Sequence, residues 1–392
     1  MCPLGNRLSS PEITPLRQFW RAPGDPTTVS SNERELLDLV RRSGALSRAD
    51  LVRATGLTAQ SIVRLVNELC ERGLLRLGAT LPREGRGKPS PAVELVPSHA
   101  YTIGFSITTD SVSSALVDFS GAVLGQKHEH TPALDRAGLI ALMERQIHPH
   151  LRMHKLERDK LFGVGVGITG FFVGQNRQVN PPPPLDDLAL TDLDEQLGKA
   201  LGLPIWLEND GTAAAVGESL LGAGRFASSF VYLYFSMGLG GGVVVEGRSL
   251  RGAHGNAGEV AGMLPALGME VPTLEHLRRM LEDDGIAFPD IGSMLEQFNP
   301  HWPACARWVE RAGPAISLIV SACVALLDPD AIVFGGRQPR ALAEQLIAQV
   351  TIDNKARRGR KRPEPRLIPA EAPHDATAIG AAALPLKEHY FF

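Results

Sequence analysis

Apolar residues repeat at helical spacing in three short segments near the start of the chain. SNERELLDLVRRSG begins with Ser31 and Asn32, which are good helix N-caps, and then carries one apolar face. SRADLVRATG stops at Gly56, and TAQSIVRLVNELCERG begins at Thr58 with apolar residues at i, i+3, i+4 and i+7. The pattern predicts three helices, of which the last two, joined by a short turn, form a helix-turn-helix.

Two β-prone runs, GLLRLG and PAVELVP, flank the basic segment LPREGRGKPS and predict a wing. Polar residues of the third helix would enter the major groove, and the wing tip would contact phosphates or a narrow minor groove. The predicted DNA-contacting residues are Thr58, Gln60, Ser61, Arg64, Arg83, Arg86 and Lys88. We therefore assign residues 31–97 to a winged helix-turn-helix domain, with a small three-helix interaction module as the alternative. Residues 1–30, with five prolines and little periodicity, are predicted to be a flexible tail.

From residue 98 onward, strand patterns alternate with helical ones. Three strand-like runs precede a predicted helix over 134–150, the buried strand LFGVGVGIT, a helix over 191–201 and the strand PIWLEND. SFVYLYFSMGLGGGVVVEG begins a second round, which ends with the strand AIVFGG and an alanine-rich helix. Two such rounds predict an α/β region of two lobes, with a cleft between them, over residues 98–392.

Composition adds broad limits to this picture. With 392 residues, 44% of them hydrophobic, and a net charge of −3, the chain has the composition of a globular protein of two or three domains. That charge argues against a uniformly basic protein that coats nucleic acid. Four scattered cysteines fit a reducing compartment, and the apolar stretch 313–327 is too short to span a bilayer. We expect a cytoplasmic protein with no membrane partner.

Five segments, taken together, resemble the ROK family of repressors and sugar kinases within the actin-like ATPase superfamily. IGFSITTDSVSSALVD resembles the family's first phosphate motif, SMGLGGG the second and IVFGG the adenosine motif. LENDGTAAAVGE resembles the sugar and catalytic segment, and GAHGNAGEVAGM resembles the family signature. The resemblance covers residues 30–390 and implies a two-lobed actin-like fold behind the winged helix.

On the sugar side, the resemblance places Asp210 at the family's general base, beside Asn209. Glu259 and Glu275 match two further sugar-contact positions, and Gly170 matches a glycine that lets the backbone approach the sugar. Helix capping is the alternative role for Asn209 and Asp210, and a solvated helix position is the alternative for Glu275.

On the nucleotide side, the sequence departs from the family pattern. The resemblance implies an aspartate where Ser106 stands, and glycines where Thr108 and Thr109 stand. A threonine forced into a left-handed conformation costs about 1–2 kcal/mol, and each ~1.4 kcal/mol of lost transition-state binding slows a reaction tenfold. The Gly-Thr of the second motif is replaced by Ser-Met. We therefore predict an inactive kinase-like domain, in which Asp210 is a vestigial base.

No metal or cofactor is expected. Many family members bind zinc through a GH pair and a CxCGxxGC segment, and here these positions read Ala261–Gly262 and ALGMEVPTLEHL. That histidine usually contacts the sugar, so the identity of the ligand stays open. The histidines of HEH (128–130) and HPHLRMH (148–154) are predicted to lie at the surface. The basic run 355–363 is predicted to be a solvated loop, with contact to DNA or a partner as the alternative.

Three functions are compatible with these features. The first is a transcriptional regulator, a repressor of carbohydrate-related genes, that binds a double-stranded operator as a homodimer or homotetramer and responds to a sugar or sugar derivative. The second is a sugar kinase with an accessory DNA-binding domain. The third is a ligand-independent DNA-binding protein that keeps the fold for dimerisation. The first is the prediction we carry forward, because the sugar-side residues persist while the phosphate motif does not.

Overall fold

A computed structural model describes residues 29–80, 90–174, 178–373 and 375–392. The predicted wing residues Arg83, Arg86 and Lys88, and the predicted tail up to residue 28, lie outside these ranges. The first unit contains helices α1 (Ser31–Ser43), α2 (Arg48–Thr55) and α3 (Ala59–Glu71) and strands β1 (Leu75–Thr80) and β2 (Pro91–Leu95). The predicted helices and strand pair are therefore present.

Polar side chains fix the starts of these three helices. Ser30, rather than Ser31 or Asn32, is the N-cap of α1, and its hydroxyl and Glu33 form a capping box. Ser47 caps α2 in the same way, and Thr58 caps α3 by accepting a hydrogen bond from the Ser61 N–H. Because α3 begins at a fixed position, its polar face has a fixed orientation.

The first lobe is built on a five-stranded sheet in the order β5-β4-β3-β6-β9, in which β3, β4 and β5 are antiparallel and β3, β6 and β9 are parallel. Its elements are β3 (Tyr101–Ile107), β4 (Ser111–Asp118), β5 (Val123–His130), α4 (Arg136–His154), β6 (Leu161–Ile168), β7 (Phe171–Val173), β8 (Gln178–Asn180), α5 (Leu193–Leu201), β9 (Ile205–Asn209) and α6 (Asp210–Leu221). α4 and α5 cover one face of this sheet.

The second lobe repeats this arrangement with the sheet order β12-β11-β10-β13-β14. A three-stranded antiparallel meander again continues into parallel strands. Its elements are β10 (Phe230–Phe235), β11 (Leu239–Val245), β12 (Arg248–Leu250), α7 (Leu274–Asp283), α8 (Ile291–Glu296), α9 (Pro303–Leu327), β13 (Ala331–Gly336), α10 (Arg340–Ile347) and β14 (Arg366–Pro369). The last helix is α11 (Ala376–His389). The predicted winged helix followed by a two-lobed actin-like fold is confirmed.

Two sequence-based expectations about helices are wrong in detail. α9 has 25 residues rather than the shorter stretch expected, so it is long and apolar enough to cross a membrane by length and composition. Half of its most apolar window is nevertheless buried within the protein, where Trp308 and Ile316 belong to the core of the second lobe. His150 on α4 is buried rather than at the surface, where its Nε2 lies 3.0 Å from the Ser114 hydroxyl, and burial lowers its pKa to about 4.

α11 returns from the second lobe and packs directly on the first. Gly104 on β3 and Gly165 on β6 face the Ala378 and Ala381 carbonyls of this helix so closely that a Cβ at either glycine would overlap the carbonyl oxygen. α6 meets α11 in the same manner, through Gly217. Small residues on these surfaces therefore allow backbone to contact backbone.

The far end of α11 holds the winged helix. Leu386, Tyr390 and Phe391 belong to the same apolar cluster as the core of the three helices. The Arg34 guanidinium on α1 donates hydrogen bonds of 2.9–3.3 Å to the carbonyls of Lys387, Glu388, His389 and Phe391. These carbonyls lack partners inside the helix, so Arg34 satisfies them and caps the helix terminus with positive charge.

We expect Gly165→Ala to destabilise the protein by about 1–3 kcal/mol or more, because its new methyl group must displace the Ala381 backbone. Urea unfolding followed by circular dichroism measures this change. Gly262→Ala is the matched control, since no heavy atom lies within 4 Å of a Cβ built there. Equal stabilities for the two variants would contradict the backbone contact.

Candidate functional site

A pocket of about 350 Å³ opens between the two lobes. It is lined by Thr169, Gly170, Phe171, Asn180, Pro181, Pro182, Asn209 and Asp210 from the first lobe and by Tyr234, Ser236, Met237, Gly238, Leu239, Gly240 and Glu259 from the second. Four of the five residues expected to contact a sugar therefore lie around one cavity.

The parallel pairing of β6 and β9 creates the first-lobe wall of this pocket. Ile168 pairs with Asn209, so the turn after β6 and the start of α6 lie side by side. The Asn209 side chain joins them, because its Nδ2 donates to the Gly170 carbonyl (2.6 Å) and its Oδ1 accepts from the Thr212 N–H (3.1 Å). Asn209 is thus the N-cap of α6 and holds the Gly170 turn in place.

Gly170 fits a position that a side chain would not. Its φ is 133°, in the region that favours glycine, and a Cβ there would lie 2.7 Å from the Asn180 carbonyl oxygen. The turn can therefore place backbone, rather than a side chain, against a ligand.

Two carboxylates face the pocket from opposite lobes. Asp210 accepts hydrogen bonds from the Thr169 hydroxyl (2.6 Å) and the Gly211 N–H (2.8 Å), and burial raises its pKa to about 6. Glu259 is exposed at the mouth of the cleft, and partial desolvation of its carboxyl, followed by the nearby charge of Asp210, raises its pKa to about 7. The pair therefore titrates close to neutrality and supplies acceptors for hydroxyl groups.

Sequence reasoning missed several residues of this pocket. Tyr234 is buried in a strand that reads as pure core, and burial raises its pKa well above the ordinary value. The Ser236 hydroxyl is buried and has no hydrogen-bond partner among the described residues. Phe171 and the prolines at 181 and 182 add an apolar rim. Ser236 and Met237 had a sequence signal, as departures from the second phosphate motif.

The structure does not bring Glu275 to the pocket. Its carboxylate lies on α7, where Arg278 donates two hydrogen bonds of 2.8 Å and Arg279 one of 3.0 Å. The hydrogen bond from Arg278 is the main cause that lowers the pKa of Glu275. Glu275 therefore lies apart from the other four predicted sugar-contact residues, and two neighbouring arginines occupy its oxygens.

The nucleotide side of the cleft contains an ion pair between the lobes. Asp110, in the turn of the first phosphate motif, pairs with Arg337, which follows the adenosine motif, at 2.6 and 3.1 Å. The Gly292 N–H of the second lobe and the Thr108 hydroxyl complete the hydrogen bonds to this carboxylate, at 2.7 and 3.0 Å. Segments that resemble nucleotide-binding motifs thus contact each other directly.

The backbone strain expected in this turn is absent. Thr108 and Thr109 are not among the non-glycine residues with positive φ, so neither adopts a left-handed conformation. Both side chains are buried, as is Ser106. The turn accommodates both threonines without left-handed backbone, and the Thr108 hydroxyl donates to Asp110.

Two glycines of the second phosphate motif, Gly241 and Gly242, allow close packing. A Cβ on Gly211, in the first turn of α6, would lie 2.7 Å from the Gly241 carbonyl oxygen of β11. Gly242 likewise lies against the Gly211 carbonyl. The retained glycine run therefore seats the start of α6, and Asp210 with it, against the second lobe.

The polar face of α3 is the candidate nucleic-acid interface. Gln60 and Arg64 are exposed, and Arg64 pairs with Glu68 on the next turn at 2.9 Å. The Thr58 and Ser61 hydroxyls lie 2.9 Å apart at the helix start. Thr58 is therefore engaged in capping, whereas Gln60 and Arg64 project from the free face.

These features define a two-lobed, sugar-kinase-like domain that carries a winged helix. The ROK family model matches residues 102–270, and the MarR family model matches residues 28–87. Residues 102–270 are therefore similar to the ROK family, and the residues in front of them are similar to a MarR-type winged helix-turn-helix.

Proteins similar to this chain align with different fractions of its length. A protein of Sinorhizobium fredii is 26% identical over 93% of this chain and 92% of its own length. The xylose repressor of Bacillus spizizenii is 27% identical over 61% of this chain, which spans 62% of the repressor's length. A solved ROK family transcriptional regulator, described as a homologue of the Escherichia coli Mlc protein, has a TM-score of 0.66 at 18% identity, covering 92% of this chain and 96% of its own. The last match shows the shared fold.

We expect Asp210→Asn to stabilise the ligand-free protein at pH 8 by about 1–3 kcal/mol and to have little effect at pH 4. Because the folded-state pKa of Asp210 is raised to about 6, the native carboxyl binds a proton more tightly than the unfolded one. Its contribution to stability is present at low pH and is lost as the pH rises through about 6, and an amide lacks this titration.

Urea unfolding of both proteins across this pH range measures the effect. Asp283→Asn on the exposed end of α7 is the matched control, and because it keeps Asp210 it should retain the pH dependence of the intact protein's stability. The prediction would be contradicted if Asp210→Asn were less stable than the intact protein at pH 8 and its stability depended on pH to the same extent.

Proposed function

We propose that this protein is a sequence-specific DNA-binding transcriptional regulator, a repressor of carbohydrate-related genes, whose lobes bind a sugar or sugar derivative without phosphorylating it. One combination of features carries this proposal. A winged helix is packed onto two lobes, and four residues predicted to contact a sugar lie around one cavity between the lobes. On the other side of the cleft, the segments that resemble nucleotide-binding motifs are joined by the Asp110–Arg337 ion pair. The names of the xylose repressor and of the ROK regulator support the same function.

DNA reading is assigned to α3. Exposed Gln60 and Arg64 have side chains that pair with adenine and guanine edges in the major groove. The residues Arg83, Arg86 and Lys88 are proposed to contact the DNA backbone, because the sequence predicts that their basic segment forms the tip of the wing. Binding to two half-sites of an operator requires two winged-helix domains, so we propose that the protein is a homodimer or homotetramer. We also propose that it acts in the cytoplasm.

Sugar binding is assigned to the pocket between the lobes. Asp210 and Glu259 accept hydrogen bonds from hydroxyl groups, and the unpaired Ser236 hydroxyl offers a further donor or acceptor. The apolar rim at Phe171 suits the C–H face of a sugar ring. Because the two carboxylates come from opposite lobes, a ligand that binds both favours one relative position of the lobes.

A sugar kinase with an accessory DNA-binding domain is the second candidate, and one observation favours it. Asp210 lies in the pocket with a pKa raised to about 6, which suits a general base. Two observations oppose the kinase. The Asp110–Arg337 pair joins the two motifs between which a nucleoside triphosphate would have to lie. Ser106 stands in place of the aspartate expected in the first phosphate motif. We therefore favour a non-catalytic domain.

DNA binding by the full-length protein is expected on duplexes from the region next to its own gene that contain a palindrome. Arg64→Ala should weaken binding by about 1–3 kcal/mol and relax specificity at one base position, as judged by fluorescence anisotropy. Arg311→Ala on α9 provides the control, since it removes an exposed arginine from a helix of the second lobe. Failure of the intact protein to form any sequence-specific complex at moderate salt would refute the proposal.

Catalysis and sugar binding can be separated in parallel assays. With a panel of sugars and ATP, we expect no ADP release above background in a coupled assay. One class of sugar should raise the melting temperature of the intact protein, and Asp210→Asn should remove that shift. ADP release that is abolished in Asp210→Asn would establish the kinase instead. The absence of any thermal shift across the panel would favour a ligand-independent DNA-binding protein.

A further inference from the structure

A basic turn in the second lobe is not explained by the sugar pocket or by the winged helix. It lies between α10 and β14 and has a defined backbone, because Arg357 and Arg360 exchange backbone hydrogen bonds of 2.9 and 3.1 Å. The two residues between them, Arg358 and Gly359, have φ values of 54° and 75°, as tight two-residue hairpin turns require. We refer to residues 355–362 as the basic hairpin.

A buried asparagine anchors the base of this hairpin. The Asn354 Nδ2 donates to the Arg362 carbonyl (2.9 Å) and to the Glu364 carboxylate (2.7 Å). The Asn354 Oδ1 accepts from the Arg362 N–H at 3.2 Å. The two arms are thus held together, so the backbone that carries the charges is ordered before any partner binds.

The charge of the hairpin is concentrated and largely unpaired. Its cations are Lys355, Arg357, Arg358, Arg360, Lys361 and Arg362, and all six are exposed. Within the described residues, Lys355 has an ion pair with Asp353, at 3.9 Å, and the other five cations have no ion-pair partner. Because like charges at this spacing repel one another, a polyanion would bind here with little competition from the protein's own carboxylates.

The hairpin precedes a strand that begins at the end of the second lobe where α1 lies. It leads into β14, whose first residue, Arg366, pairs with Ala331 at the start of the parallel strand β13. Asp330, one residue earlier, lines a cavity of about 890 Å³ whose other walls include Arg41 and Arg42 of α1. The chain entering β14 therefore comes from the side on which α1 lies.

A cation–π contact strengthens this placement. The Arg366 guanidinium lies 4.3 Å from the centre of the Phe226 ring, and Phe226 lines the same cavity as the α1 arginines. Three residues separate Arg366 from the base of the hairpin, which is a span of about 10 Å when extended. The strand that the basic hairpin leads into thus begins beside a cavity that α1 also lines.

We propose that the basic hairpin is a second DNA-contacting element, which binds backbone phosphates of the duplex beside the half-site read by α3. This inference rests on the proposed DNA-binding function. Guanidinium groups match phosphate geometry, and double-stranded DNA presents one negative charge per ~1.7 Å of axis, so several cations can be paired at once. Such contacts add affinity without sequence preference, because phosphates carry no base information.

The test is a full-length variant with Arg357, Arg358, Arg360 and Lys361 each changed to Gln, which leaves Asn354 and the hairpin base intact. Affinity for an operator duplex with long flanks is measured over a range of KCl concentrations. Counterion release makes the slope of log K against log[salt] proportional to the number of phosphate contacts. The variant's slope should be smaller by about 2–4, with affinity at low salt reduced at least tenfold.

Two controls make the result specific. Changing Lys199, Arg279, Arg307 and Arg311 to Gln removes the same charge from exposed positions outside the winged helix and the hairpin, and should leave the slope unchanged. On a duplex trimmed to the half-sites, the hairpin variant and the intact protein should bind alike, because the flanking phosphates are gone.

Equal slopes and affinities for the hairpin variant and the intact protein on long DNA would overturn this inference while leaving the proposed function in place. An intact protein that forms no DNA complex would overturn both. A loss of binding to an acidic protein or polyanionic resin, with DNA binding unchanged, would also refute the DNA contact and assign the hairpin to another partner.

Discussion

Backbone contact between α11 and its neighbours is the constraint on which the rest of the structure depends. Gly104, Gly165 and Gly217 each face an α11 carbonyl at a distance that leaves no room for a side chain. Gly380 on α11 faces the Ala213 carbonyl of α6 in return. This contact explains why α11 is rich in alanine and glycine, since larger residues would separate the helix from the sheet and leave voids.

This helix connects the two candidate sites physically. Asp210 begins α6, and the Thr377 hydroxyl at the start of α11 lies 3.4 Å from the Asp210 carbonyl. The other end of α11 presents its free carbonyls to Arg34 of the winged helix. Two helices packed without intervening side chains move as one body more readily than they slide. A ligand in the pocket changes DNA affinity through them only if it binds two arrangements of the lobes with different affinity.

Sequence reasoning reached the elements that repeat or match a motif. Apolar periodicity predicted α1 to α3, and the motif order predicted both lobes and the group Gly170, Asn209 and Asp210. It missed Tyr234, because a pocket-lining tyrosine in a strand reads as core. It also misplaced Glu275, although Arg278 and Arg279 at i+3 and i+4 indicate ion pairs along the helix. It also missed the Asp110–Arg337 pair, since residues 227 positions apart meet only through the fold. Comparing a sequence with a motif one position at a time does not reveal which distant residue pairs with a residue of that motif.

The Asp110–Arg337 pair also explains how the lobes are held together on the nucleotide side of the cleft. Removing an aspartate and two glycines from a phosphate site would leave a polar cavity that must fill with water or collapse. Here the lobes close on Asp110. Burial alone would raise the pKa of this carboxyl, but the charge of Arg337 and the hydrogen bonds from Gly292 and Thr108 outweigh burial, so the pKa is lowered. A buried ion pair contributes to stability only when its remaining hydrogen-bonding positions are satisfied, and this one meets that condition from both lobes. The lobes are therefore joined on the nucleotide side by protein contacts, while the pocket on the sugar side remains open. Asp210 and Glu259 have raised pKa values there, and a ligand that donates hydrogen bonds to these carboxylates would lower them.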